Sequence, residues 1–272
     1  MQLNVNLEKP IDYFQYTEVD SRKDEQGNVI LIDKLLPIYT GRIQKKHTDI
    51  DVLIICSDLQ GFVREEGAYI LMGERLPEYL KDLIEVEILG VEGARIGVLL
   101  CGDLFARIEY RGASGDARPT WNAFSQVADW VVGVAGNHDQ FAGMAPQEAL
   151  ADLGNAHFLH KEQCLQAGFR FGGISGIIGR PTKNQRVAEA EYLRSLEQLL
   201  RQPLDFLLLH ESPNVPQEGY KGNPKIHTLL EKAKQTPIVC SGHTHWDAPH
   251  AVFPNGLEVL NVDGSVFVLQ IE

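Results

Sequence analysis

The chain has 272 residues, 44% of them hydrophobic and 23% charged, which suits a folded protein with a sizeable core and excludes a disordered one. Its formal net charge of −12 argues against a general DNA- or RNA-binding surface or a membrane-binding surface, since both present positive charge to phosphates. An anionic substrate held locally by metal ions and a few arginines is compatible with such an acidic envelope.

Met1 to Pro10 is mixed polar and reads as no signal peptide, and no apolar run approaches the roughly 18 residues of a membrane span. A reducing cytoplasm is the expected compartment. Cys56, Cys101, Cys164 and Cys240 form no Cys-x-x-Cys pair and read as buried small hydrophobes.

In chain order, residues 1–50 suggest two strands, Tyr13 to Val19 and Val29 to Ile32, around a turn at Glu25 to Gly27. They are read as an N-terminal edge hairpin of one domain, residues 1–272, whose motif-bearing core is 51–272. Strand Val52 to Cys56 precedes a helix over Arg75 to Val86, then strand Ile96 to Cys101, a helix near Trp121 to Ala128 and strand Trp130 to Ala135.

Phe169 to Ile178 reads as a strand with glycine breaks, and Val187 to Leu200 has apolar residues at helical spacing. Strand Phe206 to Leu209, a helix around Ile226 to Lys234 and strand Ile238 to Cys240 continue this α/β rhythm. The tail changes character. Ala251 to Pro254, Leu257 to Val262 and Val266 to Ile271 are short strands joined by Asn255-Gly256 and Asp263-Gly264, and an antiparallel meander is expected.

Five polar motifs each follow an apolar strand: Ser57-Asp58-Leu59-Gln60-Gly61, Gly102-Asp103, Gly136-Asn137-His138-Asp139, His210, and Gly242-His243-Thr244-His245. Ligands collect beyond the carboxyl ends of strands in α/β sheets, so residues distant in sequence can converge there. The mixture of oxygen and imidazole donors suits two divalent ions of the Mn, Fe or Zn kind. Such a pair, about 3.5–4 Å apart, can hold a bridging hydroxide and clamp a phosphoryl group. The motifs offer Asp58, Gln60, Asp103, Asn137, His210, His243 and His245 as ligands and leave His138 as a non-ligand acid.

Singly, several of these have plainer explanations. Asp58 could end a strand and cap a helix, Gly102-Asp103 is a common turn dipeptide, and a lone His210 is more often a satisfied core histidine. The Gly-Asn-His-Asp and Gly-His-Thr-His clusters are poor packing choices unless something binds them, because each desolvated polar group needs a partner.

Together the motifs resemble the calcineurin-like metallophosphoesterase superfamily, whose pattern is Asp-x-His, Gly-Asp, Gly-Asn-His-Asp/Glu, His, and Gly-His-x-His. The likeness runs from about Asp51 to the last strand and leaves residues 1–50 outside. It implies a four-layer α/β/β/α sandwich. It also implies one ion on Asp58, Asp103 and His245, the other on Asn137, His210 and His243, with Asp103 bridging. His138 would then stabilise the phosphoryl transition state or protonate the leaving oxygen, oriented by a carboxylate such as Asp139. Gln60 departs from the pattern by standing where histidine is usual. It could bind an ion directly, hold a metal-bound water, or leave that position open until substrate arrives.

Ala106 to Pro119 carries Arg107, Arg111 and Arg118, whose forks match phosphate oxygens, so it is a candidate substrate clamp. Pairing with Glu109 and Asp116 in a solvated loop is the competing reading. Tyr220, in the Pro- and Gly-rich stretch after His210, could stack on a base. The expected activity is hydrolysis of a phosphomonoester or phosphodiester, with a nucleotide or nucleic-acid end as substrate. A phosphoprotein phosphatase and a non-catalytic metal-binding scaffold are the alternatives.

Overall fold

The computed structural model describes residues 2–46 and 48–272. The strand Val52–Cys56 shows how its layers arise. Successive side chains leave a strand on opposite faces, and here all five are apolar and buried, so both faces need a partner. Val52, Ile54 and Cys56 belong to a core with Leu76, Leu80, Trp121 and Phe124, from the helices Met72–Leu83 and Arg118–Val127. Leu53 and Ile55 belong instead to a core with Phe169, Phe171, Phe206 and Leu260, which come from a second sheet.

The outer face of that second sheet is covered in the same way. Leu207, Leu209 and Val239 pack with Tyr192, Leu196 and Ile226 of the helices Glu189–Leu199 and Pro224–Glu231. The order helices, sheet, sheet, helices is the four-layer α/β/β/α arrangement. Each fully buried Leu, Ile or Phe contributes roughly 1.5–3 kcal/mol by leaving water. Asn223 caps the last helix, its Oδ1 accepting from Lys225 N at 2.9 Å and Ile226 N at 3.3 Å. Among the described residues no helix is long and apolar enough to cross a membrane.

The first sheet has ten strands. From one edge, Ala156–Phe158, Trp130–Gly133, Ile96–Leu100 and Val52–Cys56 run parallel. Next come Val266–Ile271, Val29–Gln44, Asp12–Lys23 and the hairpin Phe62–Glu65 and Ala68–Leu71, with Gln2–Asn6 pairing on Val29–Gln44. In the second sheet Phe169–Ile174, Phe206–Glu211, Ile238–Gly242 and Glu258–Asn261 are parallel neighbours. Glu162–Gln166 and His250–Val252 flank them antiparallel.

Two expectations need correction. The expected strands of residues 1–50 do pair antiparallel as a hairpin, but not at the edge, because Val29–Gln44 lies inside the sheet. Its first part pairs with Asp12–Lys23, and its last part runs between Val266–Ile271 and Gln2–Asn6. Buried Leu36, Ile38 and Ile43 demand that interior place. Asp33 and Lys34 had concealed the length of the strand by breaking its apolar pattern. The sheet edge is instead the hairpin Phe62–Glu65 and Ala68–Leu71, which the sequence did not reveal.

The tail is not a meander. His250–Val252 and Glu258–Asn261 form the expected hairpin, but at Asp263-Gly264 the chain crosses to the other sheet. There Val266–Ile271 inserts antiparallel to Val52–Cys56 and parallel to Val29–Gln44. Its faces explain this: Val266 and Val268 join the helix-side core, and Phe267 and Leu269 join the core between the sheets.

Candidate metal centre and active-site cavity

The motif loops interlock directly. Asp58 N–H donates to Gly102 O at 2.8 Å, His138 N–H to Asp103 Oδ1 at 2.8 Å, and His243 N–H to Asp58 Oδ2 at 3.0 Å. Asp58, Asp103 and His243 have φ of 53°, 54° and 66°, a left-handed backbone that costs roughly 1–3 kcal/mol each and clusters at functional sites. Close approach also explains two glycines. A Cβ on Gly136 would sit 2.1 Å from Asp103 Oδ1, and one on Gly242 would sit 2.3 Å from Asp58 Oδ2.

Asp103, His210 and His243 each bring one ligand-type atom within 4.8 Å of the others. His210 is fully buried, and its Nδ1 lies 2.8 Å from the Cys101 carbonyl, which can only accept, so Nδ1 carries hydrogen and Nε2 faces the cluster. Nε2 is 3.3 Å from Asp103 Oδ2 without hydrogen-bond alignment. Asn137 Oδ1 is buried and likewise has no partner among the described residues. Two buried ligand-type atoms without hydrogen-bond partners beside a buried carboxylate are costly unless a cation takes them, so this donor set fits a divalent ion.

Charge is concentrated at the site. Burial opposes protonation of His210, but the Asp103 and Asp58 carboxylates outweigh it and raise the pKa to about 10. Burial and the nearby His210 lower His243 to about 4. Asp103 lies below its ordinary value: burial pushes it up, and the His210 charge more than offsets that. Burial and the Asp263 charge push Asp58 well up, and burial also raises Asp263.

The remaining predicted residues divide into those at the site and those beside it. Asp58, Gln60 and His243 line one cavity of about 170 Å³ with Arg107, Arg111 and Asp263. Gln60 Nε2 is buried without a partner among the described residues. His245 points elsewhere: its side chain is 69% exposed, with Nδ1 3.9 Å from Asp263 Oδ2. The Asp139 carboxylate accepts from Asp103 N, Leu104 N and Gly136 N at 2.7–2.8 Å. It therefore organises the loop backbone, while the ring of His138 lies 3.4 Å from Ser114 Oγ through Nδ1. Burial and the Asp103 charge raise Asp139 to about 6.

Of the three arginines, Arg107 and Arg111 line the cavity, with loose pairings to Glu109 at 3.8 Å and Glu18 at 3.7 Å. Arg118 does not line it and forks onto Asp116 at 2.7–3.0 Å. Tyr220 stacks on Trp246 with ring centroids 4.9 Å apart and also lies outside the cavity lining.

Sequence reasoning passed over several contributors. Tyr16 and Glu18 of Asp12–Lys23 form a cavity wall, and the Tyr16 ring lies where a Cβ on Gly61 would stand. Asn184 Nδ2 holds the carbonyls of Asn137 and Asp139 at 3.2 and 2.8 Å. Asn261 Nδ2 holds Thr244 O at 2.7 Å and Ser212 Oγ at 3.1 Å. Asp263 had a readable signal, because it follows an apolar strand just as Asp58 follows Val52–Cys56, but it was taken for a hairpin turn.

Residues 51–247 match the model of the calcineurin-like phosphoesterases. No curated protein matches the chain. One solved structure aligns at a TM-score of 0.53 with 12% identity, covering 79% of this chain and 91% of the other. The phosphopantetheinyl hydrolase PptH of Mycobacterium tuberculosis aligns at 0.45 with 11% identity, covering 79% and 90%. The sulfate thiohydrolase SoxB of Thermus thermophilus aligns at 0.43 with 14% identity, covering 78% and 51%. With its motif loops gathered around one cluster of ligand atoms and the family match spanning most of its length, the chain belongs to the calcineurin-like phosphoesterase family.

Proposed function

We propose that the chain hydrolyses a small phosphate ester, with a nucleotide as the favoured substrate, at the cavity beside Asp103, His210 and His243. The observation that carries this is the placement of the ligand cluster against the arginine loop: His243 borders the same cavity as Arg107 and Arg111. A phosphoryl group bound there is gripped by guanidinium forks on one side and faces the ligand cluster on the other.

In this reading Asn137, His210 and His243 would hold one divalent ion, Asp58 and Gln60 would serve a second, and Asp103 would be available to both. When bound, such ions (Mn, Fe or Zn) neutralise phosphoryl oxygens and activate water for in-line attack. The chain's own groups do the rest. Arg107 and Arg111 orient the phosphate. His138, anchored through its backbone N–H on Asp103 Oδ1, presents its ring to the leaving oxygen and delivers a proton there. Asp139 keeps Asp103, Leu104 and Gly136 in register for this arrangement.

The size of the cavity, about 170 Å³, and the wall of Tyr16 and Glu18 favour a small ester over a nucleic-acid duplex. The net charge of −12 acts in the same direction by repelling polyanions. A panel of Mn-loaded assays on mononucleotides, cyclic nucleotides, dinucleotides, phosphopeptides and RNA ends tests this. Highest kcat/KM on a mono- or dinucleotide is expected. Preference for phosphopeptides or long RNA would reject the substrate assignment.

A further inference from the structure

Gln60 is neutral and a weaker donor than imidazole, so something else must strengthen the ion position that it faces if two ions are held. Asp263 is placed to do so. It stands on the crossover between the two sheets and lines the same cavity as Asp58 and Gln60. Its carboxylate is four-fifths buried, yet it accepts no hydrogen bond among the described residues; His245 Nδ1, 3.9 Å away, is the nearest cation-capable group recorded for it.

Its position is set by the structure around it. Asp263 N–H donates to Asn261 Oδ1 at 3.1 Å, and the same side chain holds the Thr244 carbonyl through Nδ2. One buried asparagine thus ties Asp263 to the loop that carries His243. Asp58 and Asp263 share this cavity with His243, which also belongs to the ligand cluster of Asp103 and His210, and carboxylates gathered in this way need positive charge. Among the described residues the fully buried His210 Nε2 and the nearly buried Asn137 Oδ1 lack hydrogen-bond partners, which marks the adjoining position as a place where a ligand binds. The buried Gln60 Nε2 lacks one too, and a half-turn of that amide presents its oxygen instead.

We infer that Asp263 is a ligand of the first ion, with Asp58, Asp103 and the Gln60 amide oxygen, and that His245 acts behind it as the partner of its carboxylate. This rests on the metal-dependent reading above. The two positions then differ in chemistry. The first is all oxygen and suits a hard ion such as Mn²⁺ or Mg²⁺. The second, with His210, His243 and Asn137, has two imidazoles and suits Zn²⁺ or Fe²⁺. The exchange of histidine for glutamine at position 60 is thereby offset by an added carboxylate, so the chain carries an unequal pair of ions.

The test is a Mn²⁺ titration of metal-stripped protein, with free Mn²⁺ followed by electron paramagnetic resonance and bound metal by elemental analysis. The native chain is expected to bind two Mn²⁺, of which Zn²⁺ displaces one. Asp263→Asn should keep one ion, which also reports that it is folded, and should bind the other at least about tenfold more weakly. His245→Asn should weaken that ion less than Asp263→Asn does, and Gln60→His should restore it in the Asp263→Asn background. Two ions bound with native affinity by Asp263→Asn would overturn this assignment and leave the phosphoesterase reading standing. A larger loss in His245→Asn than in Asp263→Asn would also overturn it. Failure of the native chain to bind any divalent ion would remove both.

Discussion

At the scale of single residues, the site is governed by how each polar group finds a partner. His210 has one nitrogen committed to the Cys101 carbonyl and the other facing Asp103, so the metal-free pair holds a proton well above neutral pH. An ion bound through Nε2 must expel that proton, and affinity therefore rises with pH as long as pH stays below about 10. One proton per ion corresponds to about tenfold per pH unit. Chelator competition at pH 7 and pH 8 should show tighter Mn²⁺ binding at the higher pH. Equal affinity would mean that His210 is already neutral. His138 makes a different prediction, since its tie to Asp103 runs through backbone and its ring meets Ser114. His138→Ala should retain metal content while hydrolysis slows by ~10²–10⁴-fold. Loss of metal in that variant would make His138 a structural or ligand residue.

At the scale of elements, strands deliver ligands because each ends in a short loop that leans on its neighbour. The strands Val52–Cys56, Ile96–Leu100, Phe206–Glu211 and Ile238–Gly242 were readable as β-rich apolar runs, and Asp58, Asp103, His210 and His243, at or just past their ends, were readable as candidate ligands. Less visible were the side chains that hold the loops. Asn184 and Asn261 sit in segments with no motif, and their work, bonding to carbonyls of residues 45 to 47 and 17 positions away, is written only in three dimensions. His245 shows the same limit from the other side. Two residues beyond His243 it looks equivalent by pattern, and both are exposed, yet only His243 joins the cluster with Asp103 and His210 while His245 lies against Asp263. Asn261→Ala would free Thr244 O, Ser212 Oγ and Asp263 N together. Unsatisfied buried groups of this kind cost about 1–3 kcal/mol each, so thermal unfolding should shift to lower temperature and the second-ion affinity should fall. An unchanged melting temperature would show that the loop is held by other contacts.

At the scale of the whole molecule, the four layers follow from strands that are apolar on both faces, and this was legible from Val52–Cys56 onward. The N-terminal strands were not, because Asp33 and Lys34 interrupt the apolar run of Val29–Gln44, which then looks like an edge. Its partner in the sheet, Val266–Ile271, lies at the other end of the sequence, so their pairing has no local signal. That closure has a consequence for the cavity: Tyr16 and Glu18, outside the family match, stand in its wall, with Tyr16 against Gly61 of the first motif loop. The cavity beside the ligand cluster is thus shaped by residues outside the matched segment as well. The central claim is that ions gathered at Asp103 drive phosphoester hydrolysis, and Asp103→Asn tests it with little change of shape, since an amide oxygen can still accept from His138 N. The decisive measurement is turnover of a chromogenic phosphodiester by metal-stripped and Mn-loaded protein, native and Asp103→Asn. The account predicts Mn-dependent turnover in the native chain that falls to background in the variant. Equal turnover in the two proteins, or none in the Mn-loaded native chain, would contradict it.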